Sequence, residues 1–300
     1  MMKNNVLIQK YRQYLLLEKG LSANSISAYM TDLRKLHTYA SENELAMKDI
    51  TATNLEELFA EQYDKGIKPR SMARMLSGVK SFYKYLFLED YIQKNPAELL
   101  DAPSIGLRLP VVLSIEEIDN LLSVIDVSTA EGARNYAIIE TLYSCGLRVS
   151  ELTSLRFTNL FFDEGFIRVD GKGSKQRLVP ISDVAIQKIN NYLIYRNQIE
   201  TKKGSEDFIF ITKRGAAISR ITVFYWVRKY AEEAGIKKTI SPHIFRHSFA
   251  THMLERGANI RYVQAMLGHE KITTTELYTH LDRNFLRQEI ISHHPLNKDE

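Results

Sequence analysis

Six side chains between positions 148 and 278 of this 300-residue sequence have the types and order needed to act on a phosphodiester. Two are arginines, which can neutralise the non-bridging oxygens of a phosphate as negative charge builds in the transition state. A tyrosine hydroxyl can attack phosphorus to form a covalent intermediate, and a lysine can protonate the departing alkoxide. Two histidines can hold phosphate oxygens and manage the proton of the nucleophile. The six candidates are Arg148, Lys172, His243, Arg246, His269 and Tyr278.

A helix start is predicted immediately before two of these candidates. Serine followed by proline is typical of the first positions of a helix, so Ser241 is the predicted N-cap and Pro242 the first helical residue. His243, Arg246 and His247 then share one face of the first two turns, because residues three and four apart are neighbours on a helix. Backbone amides and cations at a helix N-terminus together favour an anion. His247 is left outside the catalytic set.

Two more candidates are predicted beside turns. A helix is predicted to end at Gly146, which places Arg148 just beyond a helix end. Residues 166–170 and 176–181 have the pattern of two strands joined by a turn, and Lys172 lies between two glycines in that turn. A lysine in such a turn is ordinarily a solvated loop residue, and a lone arginine, histidine or tyrosine more often has a structural role. The chemistry therefore depends on the candidates acting together.

Amino-acid composition and the positions of proline and glycine limit the possible classes of protein. The net charge of +4 permits a nucleic-acid partner without requiring one, and the single cysteine, Cys145, excludes an intramolecular disulfide and indicates a reducing compartment. No signal peptide or membrane span is predicted, so a cytoplasmic protein is expected.

Two prolines and a glycine within 101–110 predict a linker between two domains. The first domain is residues 1–100, whose pattern is helical, and the second is residues 111–300. The fold class predicted is mainly α, in two domains, with one small antiparallel sheet in the second.

One predicted helix of the first domain, residues 70–88, has a basic face. Its apolar residues occupy one half of the helical wheel, and the other half carries cations and hydroxyls but no carboxylate. Such a face is suited to contact DNA phosphates, although a merely solvated face is the more common outcome. The candidate DNA-binding residues are Arg70, Arg74, Lys80 and Lys84.

The motifs of the second domain resemble the catalytic signature of the tyrosine recombinases. The strings that carry the resemblance are GLRVSEL, GKGSKQR, HIFRH and LGH, with a tyrosine nine residues after the last histidine. All six candidates match positions of the signature in the family's order, which is more specific than any one string. The family often has leucine where this chain has Phe245, a change expected to affect packing only. The compact length and the tail after Tyr278 look most like the Xer chromosome-dimer resolvases.

The resemblance implies a two-domain clamp on duplex DNA, with residues 1–100 as the core-binding domain and 111–300 as the catalytic domain. Tyr278 would attack the scissile phosphate, leaving a 3′-phosphotyrosyl link and a free 5′-hydroxyl, and Lys172 would be the general acid. The two arginines and two histidines would stabilise the transition state. Neither a metal nor any other cofactor is implied, and the phosphotyrosyl ester would allow resealing without ATP.

The resemblance also implies partners and leaves alternatives open. A synaptic tetramer with itself or a paralogous recombinase is expected, with a DNA translocase as a further candidate partner. Phe285, Leu286 and Ile290 or Ile291 form an apolar stripe in the tail, and the resemblance favours docking of this stripe on a neighbouring protomer. The alternatives are an integrase of a mobile element, a type IB-like topoisomerase and a catalytically idle DNA-binding protein.

Overall fold

The chain divides into two compact units, Met1–Arg108 and Leu109–Glu300. The computed structural model describes residues 2–101, 111–171, 176–268 and 283–295. Lys172, His269 and Tyr278, together with residues 102–110 of the predicted linker, lie outside the described residues. Arg148, His243 and Arg246 are described, as are all four candidates on the basic helix.

All the regular secondary structure in the described part of the first unit is α-helical. Ser22 caps the second helix, and Thr51 and Asn54 form a capping box at the third, so local hydrogen bonds fix both starts. A proline opens the fourth helix at its first position. The helices are α1 (Met2–Leu17), α2 (Ala23–Glu42), α3 (Ala52–Asp64) and α4 (Pro69–Leu88).

The apolar face of α4 lies at the centre of this unit. Val79, Phe82 and Tyr83 are fully buried on it. The ring of Phe82 meets that of Tyr11 in α1 edge to face at 5.3 Å, and the Tyr83 hydroxyl donates to the carbonyl of Met47 over 2.9 Å. Because one half of α4 is buried in this way, its opposite half must face outward, as the helical wheel predicts.

The second unit combines helices with one small sheet. Ser114 and Glu117 form the capping box that opens its first helix. The described elements are α5 (Ile115–Ser123), α6 (Ala130–Ser144), α7 (Val149–Thr153), β1 (Leu160–Phe161), β2 (Phe166–Asp170), β3 (Gln176–Pro180), α8 (Asp183–Arg196), α9 (Arg220–Glu233), α10 (Pro242–Glu255), α11 (Ile260–Leu267) and α12 (Arg283–His293). None of the helices in the described ranges is long and apolar enough to cross a membrane.

The predicted hairpin is part of a three-stranded antiparallel sheet in the order β1-β2-β3. Strands β2 and β3 pair as the sequence predicts, with Ile167 opposite Val179. The prediction missed β1, which pairs Leu160 with Ile167. A strand of two residues is too short to show an alternating pattern, so only its pairing with β2 reveals it.

The terminal helix α12 packs on its own unit. Ile290 is 1% exposed and belongs to the core that α10 and the sheet also build. Just after the helix, the buried ring of His294 lies 4.9 Å from that of Tyr143 and 5.8 Å from that of Phe249. Ile291 is exposed, and the side chains of Phe285 and Leu286 lie outside the described residues. Docking of this stripe on a neighbouring protomer stays a prediction.

A buried carboxyl group on α6 gives the second unit a pH-dependent stability. Glu140 is 1% exposed, and burial raises its pKa to about 7, against the opposing charge of Lys188. Its Oε1 atom has no hydrogen-bond partner among the described residues. Below the ordinary glutamate pKa of 4.5 both folded and unfolded chains hold the proton. Between that value and the folded pKa only the folded chain does, so stability falls as pH rises through this window.

We therefore expect Glu140→Gln, which cannot ionise, to be more stable than the parent chain at pH 8 by up to about 3 kcal/mol. At a pH well below 4.5 the two should unfold alike. Urea unfolding at both pH values measures the difference, with the exposed Glu255→Gln as the control that should follow the parent. An equal stability gain at both pH values would show that packing, not ionisation, is responsible.

Candidate active site

Arg148 is held at the start of α7 by a carboxylate three residues later. It is the N-cap of this short helix. Two residues before it, Gly146 has a φ of +58°, in the left-handed region that is typical of glycine just after a helix, here α6. Glu151 accepts from the backbone N–H of Arg148 and from its Nη1, each over 2.8 Å. The Arg148 side chain remains partly exposed. One edge of its guanidinium is thus fixed, and the group can still reach a ligand.

Arg246 joins the ends of two helices. As predicted, α10 begins at Pro242 with Ser241 as its N-cap, although the serine side chain makes no capping hydrogen bond. Arg246 is 9% exposed, and its Nη1 donates to the carbonyl of Gly146 over 2.9 Å. Its Nη2 donates to the carbonyl of Leu267, at the end of α11. A cation at a helix C-terminus is favoured by the helix dipole, so these contacts hold Arg246 beside α7.

These cations influence one another. Burial, followed by the charge of Arg148, lowers the pKa of Arg246 to about 10. The pKa of His243 is also lowered, first by burial and then by the positive charges of His247, Arg246 and Arg148. The described part of the predicted site is therefore a cationic cluster at the meeting point of α6, α7, α10 and α11. An anion placed there would relieve this repulsion and would be bound without a metal ion.

Two residues that the sequence analysis did not single out complete the described cluster. Arg177 on β3 donates from Nη1 and Nη2 to the carboxylate of Glu151, over 2.8 and 3.0 Å. Burial alone would raise the pKa of Glu151, but the hydrogen bonds and charge of Arg177, with those of Arg148, lower it. Both residues lie within the strings GLRVSEL and GKGSKQR. The signals available in the sequence were the places of both residues in these strings and, for Glu151, a carboxylate three residues after Arg148.

The basic face of α4 is less uniform than the sequence predicts. Arg70, Arg74 and Lys84 are exposed. Arg74 also pairs with the buried carboxylate of Asp32 in α2, from Nη1 to Oδ2 over 2.8 Å. Lys80 is half-buried and donates to the carbonyl of Glu98 over 3.3 Å. A carboxylate from a neighbouring helix thus already pairs with one candidate, Arg74. Of the four candidates, Arg70 and Lys84 are therefore the cations best placed to reach a phosphate.

Two family descriptions match the chain, one in each unit. Residues 112–284 match the Phage integrase family. Residues 8–90 match the N-terminal SAM-like domain of phage integrases. Together the two matches include all the residues named in the cationic cluster and on α4.

Known proteins resemble the chain over almost its whole length. It is 38% identical over 290 residues to the tyrosine recombinase XerD of Staphylococcus aureus, covering 96% of this chain and 98% of that protein. It is 39% identical over 293 residues to the tyrosine recombinase XerD of Proteus mirabilis, covering 97% and 94%. Among solved structures, a post-cleavage complex of the XerH site-specific recombinase bound to a palindromic difH substrate matches with a TM-score of 0.71 and 25% identity, covering 89% of this chain and 79% of that one.

Proposed function

The chain belongs to the phage integrase family of tyrosine recombinases, and we propose that it cuts and rejoins duplex DNA at a specific site through a covalent phosphotyrosyl intermediate. The observation that carries the proposal is the cluster of Arg148, Arg246 and His243, in which one guanidinium group is fixed at the start of α7 and the other near the start of α10. Such preorganised donors stabilise a phosphorane-like transition state because they need no rearrangement as charge develops.

In the proposed reaction the Tyr278 hydroxyl attacks the scissile phosphorus. A bond forms between the tyrosine oxygen and phosphorus, the bond to the 5′-oxygen breaks, and the DNA keeps a 3′-phosphate esterified to the protein. The tyrosine proton passes to a neighbouring base, for which His269 and His243 are the candidates. Lys172 supplies a proton to the leaving 5′-oxygen. Reversal by the 5′-hydroxyl of a partner strand reseals the DNA, because the phosphotyrosyl ester conserves the energy of the broken bond.

We propose that the two units have different roles in DNA binding and in the reaction. The first unit, which contains α4, would bind the duplex, and the second would bind it and carry the chemistry. Recombination between two sites requires four protomers, so the active form would be a tetramer of this chain alone or with a paralogous recombinase. The similarity to XerD proteins supports resolution of chromosome dimers at cell division as its role. We further propose that the reaction takes place in the cytoplasm, with a DNA translocase as activator.

Covalent trapping tests the proposed chemistry. The full chain is incubated with a duplex carrying the dimer-resolution site of its own chromosome and a nick close to the scissile phosphate. Cleavage then releases a short 5′-hydroxyl fragment, so the strand cannot be resealed. We expect a protein–DNA adduct on a denaturing gel, with the protein on the 3′-phosphate of the cut strand. A duplex of scrambled sequence should give none. Absence of adduct from both duplexes, with the protein folded and DNA bound, would contradict the proposal.

The basic face of α4 makes a separate prediction about binding. If Arg70 and Lys84 contact phosphates, replacing both by alanine should weaken DNA binding and lower the magnitude of the log–log salt slope by roughly 1.8, or about 0.9 per lost contact. Arg74 is a poor probe because its removal would leave Asp32 buried without its partner. Binding titrations from low to high salt measure the slope, and the exposed Lys48→Ala is the control. An unchanged slope in a folded variant would mean that this face is only solvated.

A further inference from the structure

Arg177 connects three segments of the second unit from a buried position. It lies on β3, the strand that follows the turn containing Lys172, and is 7% exposed. Two of its nitrogens hold Glu151, and its Nε donates to the carbonyl of Met266 over 2.8 Å. The guanidinium group of Arg177 therefore contacts the segment that begins at Arg148 and the end of α11, which precedes His269. Arg177 itself lies on the strand that follows Lys172.

The contact with Glu151 bears directly on Arg148. Each oxygen of the Glu151 carboxylate accepts one hydrogen bond from Arg148 and one from Arg177. The carboxylate is thus fixed between two guanidinium groups, and only that of Arg148 is partly exposed. Because a bidentate pair fixes both distance and plane, Arg177 sets the position of Glu151, which in turn sets the guanidinium of Arg148.

The contact with Met266 bears on the end of α11. Gly268 ends this helix with a φ of +66°, and a Cβ at that position would lie 3.1 to 3.2 Å from the Arg177 side chain. The guanidinium therefore packs closely against the last turn of α11, whose final carbonyl groups also receive Arg246. His269 follows directly in the sequence.

We propose that Arg177 is a positioning residue for strand cleavage, which acts on Arg148 through Glu151 and is itself held in place by its contact with the end of α11. The assignment rests on the proposed function. Arg177 is buried among its partners, so any effect it has on the DNA would pass through other residues. A small displacement of a transition-state ligand can cost about 10²-fold in rate, which sets the size of the expected effect.

A double-mutant cycle tests the route through Arg148. Single-turnover cleavage of the nicked duplex is measured for the parent, Arg177→Lys, Arg148→Lys and the double variant. Lysine keeps the charge but loses the planar pair of donors, so we expect Arg177→Lys to cleave about 10²-fold more slowly with its DNA affinity unchanged. The double variant should be within about threefold of Arg148→Lys, because the two changes remove the same interaction.

A matched control separates positioning from stability. Arg196 is equally buried in the same unit, and its guanidinium donates to the backbone carbonyls of Phe208 and Ile209. Arg196→Lys should lower the unfolding temperature and leave the cleavage rate of the folded protein unchanged. If Arg177→Lys does not fold, Arg177→Gln, which keeps a planar donor, replaces it in the cycle.

The outcomes are distinct. Strong coupling between Arg177 and Arg148 supports the proposal. Parent-like cleavage by Arg177→Lys, or rate losses that multiply in the double variant, overturns it. Failure of both Arg177 variants to fold, while Arg196→Lys folds, would also overturn it, since Arg177 would then serve stability alone. If the parent chain itself forms no adduct, that result contradicts the proposed function. It is distinguishable from failure of the Arg177 proposal, in which the parent forms adducts and only the comparison among the variants disagrees.

Discussion

Replacing Tyr278 by phenylalanine should abolish covalent protein–DNA adducts while leaving DNA affinity intact. The substitution removes one oxygen atom, which is the atom proposed to bond to phosphorus, and keeps the ring. Because phenylalanine has no oxygen that could bond to phosphorus, the expected loss is that of the whole covalent reaction rather than a fraction of its rate. Gel analysis of trapped adducts and a parallel binding titration measure the two properties.

The control for this experiment is Tyr225→Phe, which removes the hydroxyl of an exposed tyrosine on α9 in the same unit. It should form adducts at the rate of the parent. Adducts at the parent level in Tyr278→Phe would move the nucleophile to another of the 16 tyrosines. Peptide mapping of the trapped adduct would then identify it.

The second large effect is expected at the two arginines. Lysine in place of Arg148 or Arg246 keeps a positive charge but loses the planar fork, so cleavage should fall by about 10²-fold or more in each variant. Their stabilities should differ. Arg246→Lys gives up contacts to Gly146 and Leu267 that join α6 to α11, and its unfolding temperature should drop. Replacing Arg148, which is partly exposed, should lower the unfolding temperature less than replacing Arg246.

Single-turnover rates and thermal unfolding of the same preparations separate these effects. Arg156→Lys is the control, because this arginine is also partly exposed in the second unit and pairs with Asp207 outside the described cluster. It should cleave like the parent chain. Parent-like cleavage by Arg148→Lys and Arg246→Lys would return both arginines to a structural role.

Local signals predicted much of the fold. The capping box at Ser114 and the hairpin of residues 166–170 and 176–181 are each specified by residues close in sequence, and both are present in the structure. The start of α10 at Pro242 is likewise a local feature. The sequence also placed Arg148 just beyond a helix end, since Gly146 marks that end.

The partners of the charged side chains could not be predicted, because they come from distant parts of the chain. Arg177 and Glu151 are 26 positions apart, and Arg74 and Asp32 are 42 apart. A helical wheel describes one helix and cannot show a carboxylate supplied by its neighbour. For the same reason the pattern of α4 predicted four equivalent cations, whereas packing against α2 makes one of them a structural pair.

The burial of Ile290 and His294 has a consequence for how the second unit folds. Ile290 belongs to the same core as Leu113, so residues far apart in sequence must come together before that core is closed. Contacts of large sequence separation cost loop-closure entropy and slow the folding of a domain. A chain from which α12 is removed would also expose the core surface that Ile290 covers. The unit that carries the proposed chemistry would then lose stability, although α12 supplies no residue to the described cationic cluster.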